Sequence, residues 1–128
     1  MSRPLFVALA LLVVTAPVRA DDLPHQLAGD LIRTEKAYCK TSTGYGTRFV
    51  TVRDVDGDGR KDVVLDYSDV LCGGQPAPYC DAQGCLLKVY LGRAGAWRKA
   101  FEGRAKSWKV EPRGGHAMLL VDGRPLPK

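Results

Sequence analysis

The spacing of apolar positions changes along the chain. Leu5 to Val14 is an unbroken apolar run of ten residues. Further on, Leu27 and Leu31, and Ala28 and Ile32, recur at four-residue spacing. That period predicts a helix from Pro24 to Tyr38, with Pro at a first turn that does not need its missing N–H, although Gly29 weakens it. Lys40 to Gly46, rich in Thr, Ser and Gly, reads as a loop. Beyond it the period falls to two. Thr47–Val52 is β-branched and bounded by turn residues, and Asp62–Tyr67 is a second such run. Cys85–Leu91 alternates, with Leu87, Val89 and Leu91 on one face, and Ala96–Phe101 returns after Gly92-Arg93-Ala94-Gly95. Ser107–Val110 and His116–Val121 flank Pro112-Arg113-Gly114-Gly115, another hairpin. Gly73–Pro78 reads as a loop and the closing Gly-Arg-Pro-Leu-Pro as a frayed end. Six short strands and one helix predict a β-rich α+β fold, a small antiparallel sheet or array of hairpins with the helix packed on or beside it.

Length and composition narrow this further. At 128 residues, 45% apolar and 26% charged, the chain can fold but is too short for a two-domain enzyme. The leading apolar run is half of the ~20 residues that a bilayer-spanning helix needs. It follows Arg3 and precedes Val18-Arg19-Ala20, with small residues where a signal peptidase inspects the chain. Residues 1–20 are therefore expected to be a secretory signal peptide, and residues 21–128 a single domain with no membrane span, periplasmic or secreted.

Four cysteines, Cys39, Cys72, Cys80 and Cys85, all fall in that domain. In a small exported chain they read as two disulfides. Three pairings exist and sequence does not choose between them. Cys39–Cys72 with Cys80–Cys85 is favoured, because Gly84 allows the tight turn that the second bridge would close. Zinc is disfavoured: no C-x-x-C pair exists, and His25 and His116 lie far from the cysteines.

Residues 54–62 read Asp54-Val55-Asp56-Gly57-Asp58-Gly59-Arg60-Lys61-Asp62. Calcium takes six to eight oxygens. Asp54, Asp56 and Asp58 fall at loop positions 1, 3 and 5, Gly59 at the sharp turn, the Arg60 carbonyl at 7 and Asp62 at 9. A solvated acidic turn would not explain that spacing. Position 12, a bidentate Glu in a complete EF-hand, is Leu65, and Asp66 comes one residue late but could still reach the site. With the apolar runs Phe49–Val52 before it and Val63–Leu65 after it, the loop resembles the calcium loops between strands of FG-GAP and VCBS-type repeats. The likeness spans about 20 residues and implies Ca2+ as the ligand. A propeller needs several copies and one is present, so it does not imply that fold. The wider arrangement also resembles small exported bacterial proteins with a signal peptide, one such loop, a downstream Gly-Cys and a β-rich second half, which implies no activity.

No catalytic constellation is visible. None of Ser2, Ser42, Ser68 and Ser107 sits in a G-x-S-x-G elbow, and Asp66 and Asp69 read better as a ligand and a loop cap than as an acid pair. Charge is uneven. Residues 21–84 hold seven basic and eleven acidic residues, whereas residues 85–128 hold ten and three, net +7. In the basic half Arg98, Lys99, Arg104, Lys106 and Lys109 alternate with Tyr90, Trp97, Phe101 and Trp108. Such interleaving can hold an anion, but it also arises when the aromatics are core and the cations cover the outer face. An exported compartment excludes nucleic acid as the usual partner. The expected function is an exported calcium-binding domain with a structural metal loop and a binding or scaffolding role. The alternative is a small periplasmic inhibitor or adaptor that engages a protein or an anionic envelope polymer through the basic aromatic half. Intact mass of exported material should show a chain starting at Asp21 with no free thiol; two or more reactive thiols in the native protein would refute the disulfide scheme.

Overall fold

The computed structural model describes residues 25–126; the expected signal peptide, its cleavage site and Pro24 lie outside the described residues. The order of elements is α1 (His25–Tyr38), β1 (Thr43–Tyr45), β2 (Val50–Arg53), β3 (Asp62–Asp66), a 3-10 turn (Tyr67–Asp69), β4 (Val70–Cys72), β5 (Cys80–Asp81), β6 (Gly84–Arg93), β7 (Ala96–Ala105), β8 (Trp108–Arg113), β9 (His116–Val121) and β10 (Arg124–Pro125). All strand pairs are antiparallel. Among the described residues the fold is thus strand-rich with one α-helix, as the pattern predicts, but with four strands more than the pattern shows.

The central sheet runs β2-β3-β6, with β7 along the far edge of β6 and β5 beyond the end of β3. β3 and β6 are buried on both faces. On one face Val63, Leu65, Leu86 and Tyr90 join Leu27 of the helix, Phe49, Tyr67 and Tyr79. On the other, Val64, Leu87, Val89 and Leu91 pack against Leu119 and Val121 of β9. The alternation of Leu87, Val89 and Leu91 is therefore real, but the residues between them are also buried, because a second layer covers each side. Helix α1 and the β1–β4 ribbon form one cover, and the β8-β9-β10 sheet forms the other. From the end of the helix, aromatic rings pack in series from Tyr38 through Tyr79, Tyr67 and Phe49 to Tyr45, with centroids 4.7–5.8 Å apart.

Three expectations are corrected. Lys40–Gly46 is not all loop: Thr43–Tyr45 pairs with Val70–Cys72, a partner distant in sequence that local turn residues cannot reveal. The end of the chain is not wholly frayed, since Arg124–Pro125 folds back on Leu120–Val121. Asp122 and Gly123 both have positive φ, 49° and 77°, the two-residue turn that suits a tight hairpin. On the helix, Leu27 is buried and Leu31 partly buried, but Ile32 is 51% exposed. Asp30 and Thr34 occupy the rest of the inner face because they meet a polar group there.

That group is Lys88, in the middle of β6 and only 2% exposed. Its Nζ lies 3.1 Å from Asp30, 2.5 Å from Thr34 Oγ1 and 3.0 Å from Glu102. Asp30 also accepts from the Tyr90 hydroxyl. A buried ammonium is tolerated only when paired and hydrogen-bonded, so this network fixes where the helix docks. Burial pushes the Glu102 carboxyl up, but Lys88 and Lys99 outweigh it and hold it below its usual 4.5. A lowered carboxylate contributes stability above the unfolded pKa and loses it as pH falls through the folded one.

Both disulfides form as favoured, Cys39–Cys72 and Cys80–Cys85, with no free cysteine among the described residues. The first ties the end of α1 to β4. The second spans the in-register pair that joins β5 to β6. Each bridge adds ~2–4 kcal/mol by constraining the unfolded chain. Asp30→Ala should cost about 3 kcal/mol in urea unfolding, the low end for a broken buried pair because Glu102 remains. In Glu102→Gln, the loss of stability as pH falls below 4.5 should be smaller than in the wild type, read from the same unfolding curves.

Candidate metal centre

Strands β2 and β3 pair with Arg53 opposite Asp62, so residues 54–61 form the loop that joins them. Asp54, Asp56, Asp58 and Asp62 each present one carboxylate oxygen, and these four oxygens all lie within 4.8 Å of one another. The cluster could hold a metal ion.

The backbone curls because the aspartates accept from it. Asp54 Oδ1 accepts from the N–H groups of Asp56 at 3.2 Å and Gly57 at 2.8 Å, and its Oδ2 from Gly59 at 2.9 Å. Asp58 accepts from Arg60 N–H at 2.8 Å. These bonds turn successive amides toward carboxylates, so short Asp side chains suit the loop where Glu would overreach. Burial pushes the Asp54 carboxyl up, but the amides of Gly59, Gly57 and Asp56 outweigh it and hold it below the ordinary carboxylate range. The Asp56 carboxyl is raised, first by burial and then by the negative charge of Asp62. Repulsion between neighbouring acids is the mark of a loop short of positive charge.

Asp62 differs from the other three. It is fully buried, with Oδ2 accepting from Val55 N–H and Oδ1 from Gly92 N–H, each at 2.8 Å. A carboxylate has about four acceptor sites, so two bonds leave lone pairs for a cation. Among the described residues Asp62 has no cationic partner, whereas Arg93 Nη1 lies 3.2 Å from both Asp56 Oδ2 and Asp58 Oδ2.

The loop is anchored from two sides. Val55, the residue between the first two aspartates, is 1% exposed in the core shared with β9. Gly57 lies against β9, where a Cβ would come within 2.7 Å of the His116 Cβ, and its φ is +79°. His116 is thus a neighbour of the loop, though an exposed one.

The loop therefore stands where its motif predicts. Arg60 belongs to it through its N–H, and its side chain is exposed. Asp66, considered as a late ligand, instead accepts from Trp108 Nε1 at 2.9 Å and from Ser68 N–H. As a residue of β3 it follows the strand away from the loop. Asp69 accepts from Arg48 N–H, the loop cap expected of it. Val55, Gly92 and Arg93 were not foreseeable from the motif. Their signal is the pairing of Val63–Asp66 with Leu87–Tyr90, which carries Gly92 and Arg93 to the level of Asp62.

The five basic residues singled out above do not form one patch. Lys99 faces the helix, 3.1 Å from Glu102 and 3.8 Å from Asp30. Arg104 donates to the carbonyls of Tyr79 and Pro78 and pairs with Asp81. Lys109 pairs with Glu111. Arg98 and Lys106 have no acidic partner among the described residues, and they line different cavities. Trp97 packs on the helix-side core, and Phe101 and Trp108 on the other.

No family model, curated protein or solved structure matches the chain. The chemistry of the site must therefore be read from the site.

Gly57→Ala should destabilise the protein by more than Gly59→Ala in chelator. Both strain a positive φ, at about 1–2 kcal/mol, but only the first drives a methyl into β9. Equal losses in urea unfolding would refute the docking of the loop on β9.

Proposed function

We propose that this loop binds one calcium ion and that the protein is an exported, calcium-stabilised β domain with a binding or scaffolding role rather than a catalytic one. The observation that carries the reading is Asp62, a fully buried carboxylate with two amide bonds and no cationic side chain beside it among the described residues, one oxygen of which lies within 4.8 Å of oxygens of three further aspartates. Taking a charge out of water is costly unless it is paired as well as hydrogen-bonded. A cation among the four oxygens would supply the missing charge.

Calcium suits the donor set better than its rivals. The donors are all oxygen, which selects hard cations over zinc or copper. Four carboxylates with the Arg60 carbonyl and water reach the six to eight ligands that calcium takes, whereas magnesium demands a tighter octahedron and gives up its water reluctantly. The resemblance of the loop to those of FG-GAP and VCBS-type repeats supports the same ion. Two disulfides fit an oxidising compartment, and the leading sequence supports export to the periplasm or medium. Among the described residues no helix is long and apolar enough to cross a membrane.

Bound calcium at a hundredfold excess over Kd adds ~2.7 kcal/mol to stability, which for a domain of this size is about 10 °C or more in Tm. Chelation should lower Tm by that amount and millimolar calcium should restore it, magnesium less so. Asp56→Ala or Asp58→Ala should remove the response. Asp81→Ala, which lies outside the loop and pairs with Arg104, should keep it. A Tm that ignores calcium, with no heat of binding by calorimetry, would refute the proposal.

A further inference from the structure

Beside the loop lies a cleft of about 380 Å³. That is within the size range of small-ligand sites. Its accessible apolar lining includes Met118, Pro125 and Leu126, and Asp56, Arg93 and Arg98 are the polar residues that line it. Arg98 is exposed and has no acidic partner among the described residues. Arg93 spends its Nη1 on Asp56, Asp58 and the Gly92 carbonyl, and its Nε and Nη2 have no hydrogen-bond partner among the described residues.

We propose that this cleft binds a small apolar carboxylate, a carboxylate head on a chain of a few carbons, and that calcium in the loop switches it on by releasing Arg93. The proposal rests on the calcium reading above. Asp56 and Asp58 cannot serve a divalent cation fully while their oxygens hold a guanidinium, and the two positive charges repel across a few ångströms. Once the cation takes both carboxylates, Arg93 loses its partners. It sits in the lining of a cleft that already holds a second free guanidinium. Guanidinium groups match carboxylates with parallel N–H donors, and Arg93 would exchange two carboxylates of its own chain for one from a ligand. The Met118, Pro125 and Leu126 lining favours a ligand whose tail is apolar. Acetate would satisfy the charges but leave that apolar lining in contact with water.

Coupling of this kind is reciprocal. Whatever calcium does to the affinity for the carboxylate, the carboxylate does to the affinity for calcium.

The test titrates octanoate, below its aggregation range, into the full-length mature protein by calorimetry, in chelator and in saturating calcium. Octanoate should bind at least about tenfold more tightly with calcium, inside the 5–150-fold span of ordinary couplings, and acetate should bind far more weakly than octanoate. Arg98→Ala should lose octanoate binding in both conditions while keeping its calcium isotherm. The double variant Asp56→Asn/Asp58→Asn, which frees Arg93 without a metal, should bind octanoate in chelator as tightly as the wild type does in calcium. Near-UV circular dichroism checks that it is folded. If the wild type takes up calcium but neither calcium nor the double variant raises octanoate affinity, the cleft proposal falls and the calcium loop stands. If the wild type takes up no calcium but the double variant gains octanoate binding, the loop reading falls and the carboxylate cleft stands without its switch. Octanoate binding that Arg98→Ala leaves unchanged overturns the cleft in either case.

Discussion

The buried Asp62 carboxylate joins the loop to the sheet. One oxygen holds the amide of Val55 within the loop, and the other holds the amide of Gly92 at the far end of β6. Through Val55 the loop enters the core shared with β9. Through Gly92 it is tied to the longest hairpin of the fold, and the next residue, Arg93, reaches back to Asp56 and Asp58. A surface turn between β2 and β3 would need none of these contacts. Their presence makes the acidic cluster an extension of the core, so that a charge placed there acts on the stability of the whole domain.

A second buried polar group does the same on the opposite face of β6. Lys88 reaches Asp30 and Thr34 on the helix and Glu102 on β7. The strand thus carries apolar side chains to both sides and is pinned to one cover by a buried ammonium and to the loop by an amide at its end. Such networks are poor sources of net stability but leave few alternative ways to dock the parts. The two disulfides act on a different quantity, the freedom of the unfolded chain.

Legibility in the sequence followed the range of the interactions. The helix, the β2–β3 hairpin with its aspartates, and the β6–β7 and β8–β9 hairpins are local, and period and turn residues reveal them. The favoured cysteine pairing was legible for Cys80–Cys85 because its loop is short. Strands β1, β4 and β5 are two or three residues long and exist only through their partners, so no local pattern marks them. A helix-period count puts Ile32 near the apolar stripe, whereas Asp30 and Thr34 turn inward to meet the buried Lys88 and Ile32 is exposed. At the site, the four aspartates were legible from spacing alone, but Arg93 was hidden until the register of β3 on β6 placed it beside them. The basic half was misleading as a single surface, because a count of charges cannot show that three of its five singled-out cations already pair within the chain.

Asp62 is the point where the proposed cation site and the fold meet, and amide hydrogen exchange reads that point directly. The Val55 and Gly92 amides should be protected in chelator, because both donate to a fully buried carboxylate, and calcium should slow both by the same factor as the loop amides of Gly57 and Gly59. Exchange of Val55 and Gly92 at the rate of exposed amides, or protection that calcium leaves unchanged while the protein binds it, would contradict the account.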